Sequence, residues 1–113
     1  MIFTDEEEFL YVGEMDENDE FNGFGTIYIR EYGFKLDEGY FLKGKLHGFA
    51  KCYYAMKETL FYCGKYLNGM REGYGAEYYD NGKLKLRCRW SSSKPCSKFY
   101  LQFNENGSMI KPS

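Results

Sequence analysis

Short alternating runs organise this chain. Successive side chains on an extended strand point to opposite faces. In "YCGKY" (62–66), Tyr62, Gly64 and Tyr66 therefore share one face. In "GYGAEYY" (73–79), Tyr74, Ala76 and Tyr78 share a face, with Gly73 and Gly75 on the other. "KLKLRCRW" (83–90) alternates strictly: Lys83, Lys85, Arg87 and Arg89 on one side, Leu84, Leu86, Cys88 and Trp90 on the other. Strands of about 5–7 residues recurring every ~12 residues predict an antiparallel meander. No apolar run approaches the ~20 residues of a membrane-spanning helix.

The pattern repeats at a shift of 25 residues. Gly23, Gly48 and Gly73 coincide, as do Phe24, Phe49, Tyr74 and Phe99, and Tyr28, Tyr53, Tyr78 and Phe103. The first strand of each unit recurs as "YVGEM" (11–15), "DEGYF" (37–41) and "YCGKY" (62–66), with "LRCRW" (86–90) a worn copy. Periods of this length belong to stacked units, in which each repeat packs only on its neighbours. Each unit is a hairpin: a strand reading tyrosine, any, glycine, any, aromatic; a glycine-bearing loop; a second strand; then a turn such as "DNG" (80–82). Asn-Gly favours a type I′ turn, which needs positive φ at both central residues. A glycine on a strand leaves a hole in the side-chain layer, and a neighbouring aromatic lying across it restores packing. A single-layer sheet buries area in this way.

Composition agrees. Aromatics are 20 % of the 113 residues, with 12 tyrosines, 10 phenylalanines, 13 glycines and only two prolines, a strand-and-turn signature. The net charge of −2 hides a polarity. Residues 1–20 hold nine acids and no base, whereas residues 83–113 hold seven bases and one acid, Glu105. The start, "MIFTDEEEFL", has neither the basic nor the apolar region of a secretory signal. An intracellular, cytoplasmic location follows as an expectation, with Cys52, Cys63, Cys88 and Cys96 as thiols. Their spacings of 11, 25 and 8, with His47 as the one histidine, do not suit zinc. No metal or cofactor is expected.

The unit "YCGKYLNGMREGYGAEYY" resembles a MORN (membrane occupation and recognition nexus) repeat: Tyr62, Gly64, Tyr66, Gly69, Gly73 and Gly75 fit every position. The preceding unit matches at Gly39, Phe41, Gly44 and Gly48, but Asp37 replaces tyrosine and Ala50 replaces the last glycine. The first unit matches at Tyr11, Gly13, Gly23 and Gly25, with Met15 at the aromatic position. The fourth keeps Trp90 and loses its glycines to Cys88, Lys98 and Tyr100. The resemblance implies an all-β fold: one domain, residues 1–113, forming a single-layer twisted antiparallel meander of tandem hairpins. The repeats run over about 11–35, 37–60 and 62–84, with a degenerate cap at about 86–110. "IFTDEEEFLY" is a capping strand or half of an earlier hairpin.

The expected function is a non-catalytic interaction or scaffold module. It docks a protein partner on an aromatic-lined face carrying Phe24, Tyr28, Phe49, Tyr53, Tyr74 and Tyr78, because tyrosine buries area while keeping a polar handle. The competing reading has these rings only stacking on one another and on the glycine grooves. The alternative function is peripheral association with anionic phospholipid through Lys83, Lys85, Arg87 and Arg89, set against a simple solvated face that discourages edge pairing. A small bacterial antitoxin-like or effector-like repeat protein is a further alternative. Homo-oligomers through end-to-end or edge pairing are open to a chain so polarised. Nucleic acid does not fit the charge balance. "GMREGYG" lacks the βαβ setting of a nucleotide loop, and His47 has no nucleophile beside it to suggest catalysis.

Overall fold

The structure, a computed structural model, describes residues 2–5, 8–96 and 101–110. Every regular element among them is a strand: β1 (Ile2–Asp5), β2 (Phe9–Met15), β3 (Phe21–Ile29), β4 (Phe34–Leu42), β5 (Lys45–Tyr53), β6 (Leu60–Leu67), β7 (Met70–Tyr78), β8 (Leu84–Ser91), β9 (Lys94–Pro95), β10 (Leu101–Phe103) and β11 (Met109–Ile110). They form one open antiparallel sheet in chain order, β1 to β8, then β10 and β11, with β9 also pairing β8. The predicted meander is thus observed. β1 caps one edge by pairing with β2, and the worn fourth unit supplies the other edge. The molecule measures 48 × 28 × 18 Å. Among the described residues no helix is long and apolar enough to cross a membrane.

The strands are longer than the local pattern suggests, because the hairpin loops shrink to two residues. Asn68 and Gly69 have φ of 49° and 84°, and Lys43 and Gly44 have 50° and 82°, the left-handed pair that a type I′ turn needs. Ser92 and Ser93 do the same between β8 and β9. The Asn-Gly signal at 81–82 behaves otherwise. Gly82 has positive φ but Asn81 does not. The turn is instead closed by Gly82 N–H donating to Tyr79 O and Tyr79 N–H donating to Lys83 O, with Asn81 Oδ1 accepting from Lys83 N–H. Asparagine serves there as a side-chain acceptor rather than as a left-handed residue. The same closure recurs 25 residues on, at Asn104–Ser108.

Register explains the two glycines of each Gly-x-Gly. The first, Gly23, Gly48 or Gly73, has φ of 91°, 109° or 84°. Each sits where the pairing slips within a hairpin, a bulge that glycine makes without strain. The second belongs to a row of small residues crossing the sheet. Gly13 pairs Gly25, Gly25 pairs Gly39, Gly39 pairs Ala50, Ala50 pairs Gly64, Gly64 pairs Gly75, and Gly75 pairs Cys88. Large rings lie over this row. A Cβ on Gly75 or Gly25 would fall within the ring of Tyr62 or Tyr11, respectively. Tyr11 and Tyr62 are accordingly among the most deeply buried side chains.

The departures in the second unit compensate each other. Asp37 stands where tyrosine would cover the row, and Ala50 supplies a methyl in the freed space. The fourth unit follows suit, with Leu86 in the tyrosine position and Cys88 in the glycine position.

Rungs between repeats lock the stack. Tyr54 Oη–H donates to Tyr78 O at 2.6 Å, and Tyr79 Oη–H donates to Phe103 O at 2.7 Å. At the opposite end of the strands, Gly69 N–H donates to Leu46 O and Ser93 N–H donates to Arg71 O. His47 belongs to this set: its Nδ1 accepts from Asn68 N–H at 3.2 Å.

Candidate functional site

Two aromatic sets face opposite ways. On the packed face, the first-strand rings lie on the small-residue row. Tyr11 stacks on Phe21 at 3.8 Å, with Phe41 edge-on at 5.5 Å. Tyr62 meets Tyr66 and Trp90 edge-on, each at 5.6 Å. Arg71 completes this cluster. Its Cζ lies 3.9 Å from the Tyr62 ring centre and 4.5 Å from that of Trp90, and its Nη1–H donates to Glu77 Oε2 at 2.8 Å. Nothing in the sequence singled out Arg71. "MREG" reads as loop, and only the two-residue turn at 68–69 makes it strand.

Burial dominates the electrostatics of the packed face. It pushes the Cys52 thiol up to about 12 and the Tyr62 phenol up to about 12, and raises the Asp37 carboxyl. Cys52 Sγ lies 3.3 Å from Tyr66 Oη. The Cys52 thiol and the Tyr62 phenol, enclosed and kept protonated, are structural rather than nucleophilic. Cys52, Cys63, Cys88 and Cys96 are all free thiols. Among the described residues no group of three or more metal-ligating side chains is assembled.

One polar atom stands out. Tyr62 Oη is buried without a hydrogen-bond partner among the described residues, whereas Tyr11 Oη–H donates to Glu14 O at 2.7 Å. Tyr62→Phe should therefore leave stability within about 0.5 kcal/mol of the parent or raise it, and Tyr11→Phe should cost about 1 kcal/mol. Urea midpoints of the two variants check this. An equal loss at both sites would show that Tyr62 Oη has a partner.

The open face carries all six sequence-selected rings. Phe24, Phe49 and Tyr74 are 46 %, 50 % and 78 % exposed, while Tyr28, Tyr53 and Tyr78 are half-buried. They do not lie on the glycine row. They form two lines across the sheet, Phe24–Phe49–Tyr74 and Tyr28–Tyr53–Tyr78. The lines are four residues apart on each strand, about 13 Å. Tyr40 joins the first line, edge-on to Phe24 at 5.5 Å. Of the further rungs, Phe103 lies half-buried in β10, and Phe99 is outside the described residues.

Between the lines runs a floor whose smallest members are Cys63 and Ala76, paired across β6 and β7. There the surface dips into a groove of about 330 Å³, bordered by Phe49, Tyr74, Tyr78, Leu84 and Arg87. Further along, Glu38 fills the floor; its carboxylate contacts Lys35, Thr26 and Tyr53 at 3.2–3.5 Å.

The basic strand is not the single-faced stripe that alternation predicts. Glu77 pairs Leu86 but Tyr78 pairs Leu84, so Lys85 is an extra, bulged residue. Its Nζ turns to Glu77 Oε1 at 3.4 Å, on the packed face. Lys83 lies before the strand, its Nζ donating to Asn106 O at 3.2 Å. Only Arg87 and Arg89 remain together on the open face. The bulge is a property of the repeat: Leu36 and Phe61 are the extra residues at the same slip in the two earlier units. Phe61 points to the packed face and touches Tyr54, as Lys85 touches Tyr79. Lys85 is thus bound to follow.

Comparison with known families places this geometry. The MORN repeat family model matches residues 38–59 and 62–83, so the chain carries two tandem MORN repeats. The matches cover β5 and β7 entirely, most of β6 and the second half of β4. MORN repeats are non-catalytic modules associated with protein–protein or membrane interactions. No curated protein matches the chain.

Proposed function

We propose that this protein is a small interaction module that docks a segment of a protein partner on its open face, between the two aromatic lines. The carrying observation is the contrast between the faces. The packed-face rings are consumed by the small-residue row, whereas Tyr74 stands 78 % exposed beside a groove. An exposed tyrosine next to a pocket is the kind of anchor around which interfaces form. The repeat family points to interaction modules as a class. The membrane alternative loses its four-cation stripe, since Lys83 and Lys85 are held elsewhere. Two arginines at ~1 kcal/mol each make only a weak anchor.

Affinity capture from native extract tests the reading. The parent should retain a defined partner set, and Tyr74→Ala should lose most of it while unfolding at the parent's temperature, because so exposed a side chain adds little to stability. A partner set unchanged by both Tyr74→Ala and Tyr78→Ala would overturn it.

A further inference from the structure

Charge singles out one kind of occupant for the groove. Lys51 and Lys65 flank its near side, since Lys51 pairs Cys63 and Lys65 pairs Phe49. Arg87 pairs Ala76 on the floor, and Arg89 pairs Tyr74 at the rim. All four are exposed. Among the described residues no carboxylate lies within ion-pair distance of any of them, although Lys35, Lys57, Arg71 and Lys85 each have one. The open-face acid Glu38 is engaged with Lys35, and Glu72 accepts from Ser92 N–H. The groove is thus an apolar, ring-walled dip surrounded by four cations without partners, in a chain whose net charge is negative.

Resting on the reading above, we propose that the docked segment is acidic: it seats a large apolar side chain over Cys63 and Ala76 and places flanking carboxylates on Arg87 and Arg89. Guanidinium groups suit that task because their fork matches a carboxylate. The line of the groove crosses the strands, so the segment is held by side chains rather than by joining the sheet as an extra strand. An apolar anchor alone would leave the cations idle, and a run of acids alone would leave Phe49 and Tyr74 uncovered.

Fluorescence anisotropy with the full 113-residue chain tests this. The probes are labelled peptides of alternating phenylalanine with glutamate, glutamine or lysine, plus vesicles containing phosphatidylserine. The glutamate peptide should bind about tenfold more tightly than the glutamine peptide at low salt, and added salt should narrow that gap. The double variant Arg87→Glu, Arg89→Glu should abolish the preference while keeping the parent's circular dichroism. Should that variant misfold, the glutamine peptide and the salt series still decide. Equal binding of the glutamate and glutamine peptides, lost in Tyr74→Ala, would overturn the acidic preference and leave the docking reading standing. Binding of none of the peptides would overturn the acidic segment, and the capture experiment judges the docking reading separately. Vesicle binding that needs both arginines and is not displaced by the glutamate peptide would replace the peptide with a membrane surface.

Discussion

Gly75→Ala should lower stability by about 3 kcal/mol, a fall in melting temperature on the order of 15 °C for a domain of this size. Backbone conformation is not the reason, because Gly75 has no positive φ. The new methyl would occupy the place of the Tyr62 ring, which is completely buried and boxed in by Tyr66, Trp90 and Arg71. Tyr62 cannot lift without giving up its contacts with Tyr66, Trp90 and Arg71 and exposing its ring to water. Gly82→Ala is the control: φ is 88° with nothing near the added carbon, so only the left-handed cost of about 1–2 kcal/mol applies. The cause is read by a double-mutant cycle. In a Tyr62→Leu background, which puts leucine where the fourth unit has Leu86, Gly75→Ala should lose most of its effect, giving a coupling above about 1 kcal/mol. Additive losses would refute the account of why this glycine is required. The same account makes Asp37 and Ala50 a matched pair.

The repeat, the strand alternation and the pairing of glycine with tyrosine were legible because each is local. Tyr62, Gly64 and Tyr66 share a face in any extended chain. Which tyrosines cover the glycine row was not legible. Tyr62 and Tyr74 look alike in sequence, and only the pairing of Gly64 with Gly75 sends one inward and the other to solvent. Counting by twos likewise failed at Lys85, because one bulged residue inverts the parity of everything before it. The six open-face rings kept a common side since the bulges recur in register with the repeat, at Leu36, Phe61 and Lys85. Arg71 was hidden for a different reason: its partners Tyr62, Glu77 and Trp90 come from three strands, and no local pattern joins them.

Arg71→Met should cost about 2–3 kcal/mol, although the replacement keeps the side chain's length and apolar stem. Arg71 and Glu77 are each 14 % exposed in their side chains, so this pair is sheltered from solvent in a way that Lys57–Asp80, at 51 % and 60 %, is not. Two losses add. The guanidinium gives up its stacking on Tyr62 and Trp90, worth about 0.5–2 kcal/mol where water is excluded. Glu77 is then left with Lys85 alone, at 3.4 Å, and removing one partner of a sheltered pair strands the other's charge. Adding Glu77→Gln should restore part of the loss, because the second change removes the stranded charge. Lys57→Met, the exposed comparison, should change stability by less than about 0.5 kcal/mol. Urea titrations at low and high salt separate the two pairs, since screening reaches the exposed one far more than the sheltered one. If Arg71→Met proves as mild as Lys57→Met, Arg71 packs as a stem only, and the aromatic cluster holds the third and fourth units together without it.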